Sequence, residues 1–219
     1  MGHRVSQATI AGILKSHRPV PERPTSWQTF LRAHWAAIAG ADFFTTDVWT
    51  WRGLVTFYTA FVIDLASRRV QILGSTPHPD ERFMRQVVRT LTAADEGVVV
   101  HHRVLICDRD TKWSALVRAR LRETGLRVVR TPYRAPNANA YAERFVRSIK
   151  DECLDRLIPL GERHFRRAVA EYVAHYQHER NHQGIENALI EGTPATSAVG
   201  RIHRRPRLGG VLNYYDRAV

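Results

Sequence analysis

The stretch from Asp108 to Glu143 most constrains what this chain can become. The apolar run Val104-Leu105-Ile106-Cys107 ends on Asp108, which predicts a short strand presenting a carboxylate at its tip. At the other end, Asn137-Ala138-Asn139-Ala140-Tyr141-Ala142-Glu143-Arg144 reads as a loop entering a helix. Asn139 fits an N-cap, and Ala142, Val146, Ile149 and Cys153 recur at helical spacing. That stripe buries one face and groups Glu143, Arg147 and Lys150 on another. Two carboxylates aimed at each other from a strand end and a helix start need a cation, because like charges brought together do not both stay ionised. Ligation by oxygen alone suits a hard ion, Mg²⁺ or Mn²⁺. The competing reading is a surface Asp and a surface Glu that never meet, since acidic residues are mostly exposed.

A chain of 219 residues can bury one good core with small flanking segments. Lys and Arg number 33 against 21 Asp and Glu, a formal net charge of +12 carried mostly by Arg. Such an excess points to a polyanionic partner, with nucleic acid first. A membrane surface is the rival, but there is no amphipathic basic anchor and no long apolar run. Cys107 and Cys153 make no metal-site pattern, and a reduced, cytoplasmic protein is expected.

Taken in order, Ser6, Ile10, Ile13 and Leu14 predict a short capped helix, either a simple arm or the end of an upstream helical DNA-binding part. Arg18 to Ser26, with three prolines, reads as a basic linker, and Trp27, Phe30, Leu31 and Trp35 as a helical stripe leading to Gly40. Asp42 to Trp49 and Leu54 to Ile63 predict a hairpin turning at Trp51-Arg52-Gly53, and Arg68 to Gly74 a third strand. A helix over Asp80 to Leu91 follows, then the strand ending at Asp108. A helix capped by Ser114 and ended by Gly125 comes next, then a strand over Leu126 to Arg130. The Glu143 helix and a last amphipathic helix over Phe165 to Tyr176 complete the order. Three antiparallel strands followed by alternating elements predict an α/β fold, a mixed five-stranded sheet with helices on both faces. Arg201 to Arg207 reads as an extended, mobile basic tail.

Asp42, Asp108 and Glu143, the last two separated by 34 residues, resemble the DDE triad of retroviral-integrase-type transposases from bacterial insertion sequences. The segment Asp108-Arg109-Asp110-Thr111-Lys112-Trp113 is similar to the family's sequence after its second Asp, and Thr131 to Arg144 to its approach to the Glu. Tyr176-Gln177-His178-Glu179-Arg180-Asn181-His182 with Thr193-Pro194-Ala195 resembles the end of such catalytic domains, so the likeness spans roughly 40 to 197. Residues 3 to 17 also resemble the tail of the helix-turn-helix that precedes this domain. The resemblance implies a ribonuclease-H-like catalytic core over 41–197, after a partial helix-turn-helix remnant and basic linker over 1–40 and before a basic tail over 198–219. It implies a DNA transposase or integrase that cuts phosphodiester bonds and transfers a 3′-hydroxyl into target DNA, working on element ends as a homo-oligomer, with no membrane partner.

The first carboxylate has two candidates. Asp42 sits in Ala41-Asp42-Phe43-Phe44-Thr45, the wording this subgroup uses around its first catalytic Asp, while Asp47 lies nearer the turn. Positions 42 and 47 differ by an odd number, so a regular strand points them to opposite faces, and only one looks toward Asp108. Asp42 is favoured, with Asp47 the alternative. Two ions about 4 Å apart, bridged by the first Asp and flanked by Asp108 and Glu143, would activate the attacking oxygen and stabilise the leaving one. Arg134, Asn137, Arg144, Arg147 and Lys150 flank the site as DNA-binding candidates, each equally readable as solvated helix or loop polarity. His101 and His102 read as a strand start, Trp49 and Trp51 as hairpin packing, and Asp64 and Asp110 as structural. Two other functions remain open: a nuclease of the same fold that only hydrolyses, and an inactive DNA-binding remnant.

Overall fold

The computed structural model describes residues 29, 34–93, 101–131, 139–192 and 200–217. Ala36–Val219 form one compact unit, whose described part is considered below. Its centre is a sheet of five strands: β1 Ile38–Thr50, β2 Gly53–Asp64, β3 Val70–Thr76, β4 Val104–Cys107 and β5 Arg127–Arg130. The spatial order is β3-β2-β1-β4-β5. β1, β2 and β3 pair antiparallel, whereas β4 and β5 run parallel to β1. The first three strands are long hairpin partners because Gly53 at φ +100 closes the turn after Trp51 and Arg52. The parallel strands are short and wholly apolar, as strands buried on both faces must be.

Side-chain parity divides the sheet. Ala39, Ala41, Ala60, Val62, Leu105, Cys107 and Val128 point to one face. Helix α1 (Glu81–Thr92) covers it with Met84, Val87 and Leu91, and α2 (Ala115–Glu123) with Val117 and Leu121. Asp80 caps α1 by accepting from the Phe83 amide at 2.8 Å, and Ser114 caps α2 by accepting from the Val117 amide at 3.3 Å. The opposite face carries Phe44, Phe61 and Ile63, and receives α3 (Ala140–Glu152) and α4 (Gly161–His178). There the core is aromatic: Phe145 lies 4.9 Å from Phe61 and 5.1 Å from Tyr176, centre to centre. Gln177 of α4 accepts from the Val70 amide at 3.2 Å, and Arg166 donates to the Ser75 carbonyl at 2.6 Å, so α4 also closes the outer edge of β3.

Several expectations change in detail. Gly40 lies inside β1 rather than at a helix end. The buried stripe of α3 is Ala142, Phe145 and Ile149, with Val146 only half-buried, because Phe145 has the larger surface to hide. Trp49 and Trp51 are not packed: they are 55% and 87% exposed, and the Arg52 guanidinium stands 4.4 Å from the Trp51 ring. The expected extended tail is a second, two-stranded antiparallel sheet, β6 (Ile202–Arg207) with β7 (Leu212–Arg217). It docks through Arg207, which meets Glu179 at 2.8 Å and Glu171 at 2.7 Å on α4. Among the described residues no helix is long and apolar enough to cross a membrane. The readings of residues 3–17, Arg18 to Ser26, Arg134, Asn137 and Thr193-Pro194-Ala195 lie outside the described residues.

Candidate active site

β1 and β4 pair through Ala41 and Cys107, the last residues of their parallel register. One residue further, Asp42 and Asp108 stand on neighbouring strands about 4.8 Å apart. Both share the parity of the aromatic face, since Ala41 and Cys107 belong to the other one. Asp47 has the opposite parity; it is exposed and accepts from Thr56 Oγ1 of the facing strand at 2.6 Å. Asp42 is therefore the β1 carboxylate on the face that α3 covers. Glu143 stands in the first turn of α3 and is exposed.

Burial pushes the Asp42 carboxyl up to about 7. The Phe43 amide, donating to Oδ1 at 2.8 Å, pulls the other way, and the charges of Asp108, Glu143 and Asp110 push it further up. Burial also raises Asp108, with the Asp110 amide donating to its Oδ1 at 3.2 Å and opposing the shift. Burial works to raise Asp110 too, but Lys112 outweighs it: its ammonium lies 2.6 Å and its amide 2.8 Å from the carboxylate. Asp110 thus folds the loop after β4 and is held by its own lysine.

Asn139 departs from its expected role. It precedes α3, but its side chain accepts no helix amide. Instead Nδ2 donates to Asp42 Oδ2 at 3.0 Å, while Oδ1 is buried without a hydrogen-bond partner. Gly40, two residues before Asp42 on the same face, makes the room: a β-carbon there would stand 2.9 Å from Asn139 Oδ1. Spacing alone gives no sign of this contact, because the partners are 97 residues apart.

Asp42, Asp108 and Glu143 share one electrostatic field, but among the described residues no three His, Cys, Asp or Glu side chains gather closely enough to hold a metal ion. Their chemistry still fits one. The donors are hard oxygens, and Asp42 carries the repulsion that a divalent cation would relieve. Arg147 is exposed and Lys150 half-buried on the Glu143 face of α3, and Arg144 is exposed beside it. Asp64 turns the chain after β2 by accepting from the Ala66 amide at 2.7 Å, with His102 Nε2 standing 3.4 Å away. His101 and His102 precede β4, as a strand start requires.

The comparisons with known proteins agree with this topology. Residues 124–189 match the family model described as "Integrase core domain". The BIV integrase catalytic core domain superposes with a TM-score of 0.45 at 12% identity, covering 68% of this chain and 88% of that one. The HTLV-2 integrase catalytic core domain in complex with magnesium gives 0.46 at 9%, covering 65% and 86%. No curated protein sequence matches the chain. The strand order β3-β2-β1-β4-β5 with its antiparallel and parallel halves, rather than those distant superpositions, defines the architecture. The chain has a ribonuclease-H-like fold of the integrase type, and its residues 124–189 are integrase-core sequence.

Proposed function

We propose that the domain is the catalytic core of a DNA transposase, cutting phosphodiester bonds at the ends of a mobile element and joining the freed 3′-hydroxyl to target DNA. One observation carries this reading: Asp42 is buried on the face covered by α3, within the field of both Asp108 and Glu143. In the proposed roles these three carboxylates hold two divalent cations, Mg²⁺ or Mn²⁺. When bound, such ions supply activation of an attacking water or hydroxyl and stabilisation of the leaving oxygen.

The chain's own part is positioning. Strand ends fix Asp42 and Asp108, and the Asn139 amide sets the plane of the Asp42 carboxylate. Glu143, exposed on the first turn of α3, has the rotamer freedom to turn inward. Arg147 and Lys150 lie one and two turns further along the same face and meet backbone phosphates, as Arg134, Asn137 and Arg144 do in this proposal. Cys107 is an unsuitable nucleophile, since burial pushes its thiol up to about 12. The protein works in the bacterial cytoplasm, as a homo-oligomer on DNA.

The test is cleavage and joining of a labelled duplex in Mg²⁺ and Mn²⁺. Asp42→Asn and Asp108→Asn should abolish both reactions, while Asp47→Asn keeps them. Loss with Asp47→Asn and retention with Asp42→Asn would overturn the assignment. Cleavage without joining would make the domain a hydrolytic nuclease.

A further inference from the structure

Helix α3 presents two polar faces. Glu143, Arg147 and Lys150 share one, whereas Tyr141, Arg144 and Ser148 lie about 100° or more round the helix from Glu143. The second face lines a cavity of about 400 Å³, completed by Arg68 after β2 and by Arg180 and His182 after α4. No acidic side chain lines it. The Arg68 guanidinium lies 3.5 Å from the centre of the Tyr141 ring, with Nη1 donating to the Leu65 carbonyl at 2.7 Å. Arg144 approaches the same ring at 5.8 Å. Glu152 grips Arg180 at 2.7 and 2.9 Å, so that charge is already neutralised. His182 stays neutral: burial holds it below its ordinary value, and Nε2 donates to the Tyr176 carbonyl at 2.7 Å. The surplus positive charge of the groove therefore comes from Arg68 and Arg144.

Two guanidinium groups around an aromatic ring, with a hydroxyl at the side and no carboxylate, make a seat for a phosphate next to a flat, apolar group. We propose that this groove binds a non-scissile phosphodiester of the DNA strand, with Arg144 and Arg68 on the phosphate oxygens, Ser148 donating, and Tyr141 under the sugar and base. The inference rests on the DNA-processing role proposed above. The two faces of α3 lie within one helix diameter, about 10–12 Å. At one charge per 3.4 Å of each strand that spans about three phosphates, so one strand can engage both.

The experiment uses the full chain and a fluorescein-labelled duplex, with affinity measured from 50 to 200 mM salt. Arg144→Gln should weaken binding and flatten the slope of log K against log salt by about 0.9, the loss of one phosphate contact. Arg144→Lys should restore the slope, because it keeps the charge. Ser148→Asp, which sets a carboxylate one turn from Arg144 inside the groove, should reproduce the loss. Unaltered melting temperatures would show that the variants fold. Wild-type affinity and slope in both Arg144→Gln and Ser148→Asp would overturn the proposal. So would inorganic phosphate binding by calorimetry that Arg144→Gln abolishes while DNA binding is untouched, since that marks a free-anion site. A wild-type protein that neither binds nor nicks DNA would remove the DNA-processing reading, and the groove's role with it.

Discussion

Gly40 and Asn139 set the surroundings of Asp42. A methyl group on Gly40 would press on Asn139 Oδ1 at 2.9 Å, and the only relief is to move the amide that holds Asp42. Gly40→Ala should therefore destabilise the domain by about 1–3 kcal/mol. Adding Asn139→Ala should recover part of that loss, so urea titrations of the double-mutant cycle should give a coupling of about 0.5–3 kcal/mol. Strict additivity would mean the two residues do not compete for the same space. At this scale the sequence was partly legible. Strand parity, a property of two residues on one chain segment, separates Asp42 from Asp47, and the burial pattern of β1 obeys it. The Asn139 contact was not legible, because a cap position and a cross-fold hydrogen bond ask for the same residue type.

Phe145 shows the same limit one level up, in the elements. Helical spacing predicts the α3 stripe equally well through Val146, and only the aromatic side chains arriving from β2 and α4 select Phe145. Phe145→Ala should cost about 3–5 kcal/mol, read from the urea midpoint; a loss under about 1 kcal/mol would mean the aromatic layer does not hold α3. The β6–β7 hairpin was missed because Arg and Pro dominate β6, and its docking depends on acids of α4 far away in sequence. Burial works to raise Glu179, but Arg207 and His175 outweigh it and hold the carboxyl below its ordinary 4.5. A carboxyl lowered on folding contributes stability above its unfolded value and loses it as pH falls through the folded one. Hydrogen-exchange protection of residues 202–217 should therefore fall as pH drops below about 4.5, once intrinsic exchange rates are corrected. Arg207→Ala should lose about tenfold in protection at neutral pH, roughly 1.4 kcal/mol. Unchanged protection in that variant would mean the hairpin docks by other means.

For the whole molecule, element order and charge were the legible part: mixed-sheet topology follows from which strands can be joined by short turns and which need a helical crossover. The assembly of Arg68, Arg144 and Arg180 around one cavity was not, because those residues come from three separate segments. An excess of +12 should give non-specific duplex binding whose log K falls linearly with log salt, by about 0.9 for each phosphate neutralised. A flat response would exclude binding dominated by the backbone. The central claim is that Glu143 completes a metal-holding carboxylate set with Asp42 and Asp108, and Glu143→Gln tests it most directly. Gln keeps the shape and removes the charge, and an exposed helix position contributes little to stability, usually within about 0.5 kcal/mol. With circular dichroism as the folding control, the variant should fold and bind duplex as the wild type does. Cleavage and joining in Mg²⁺ and Mn²⁺ should both fall by orders of magnitude; a folded Glu143→Gln protein that cuts at the wild-type rate would contradict the account.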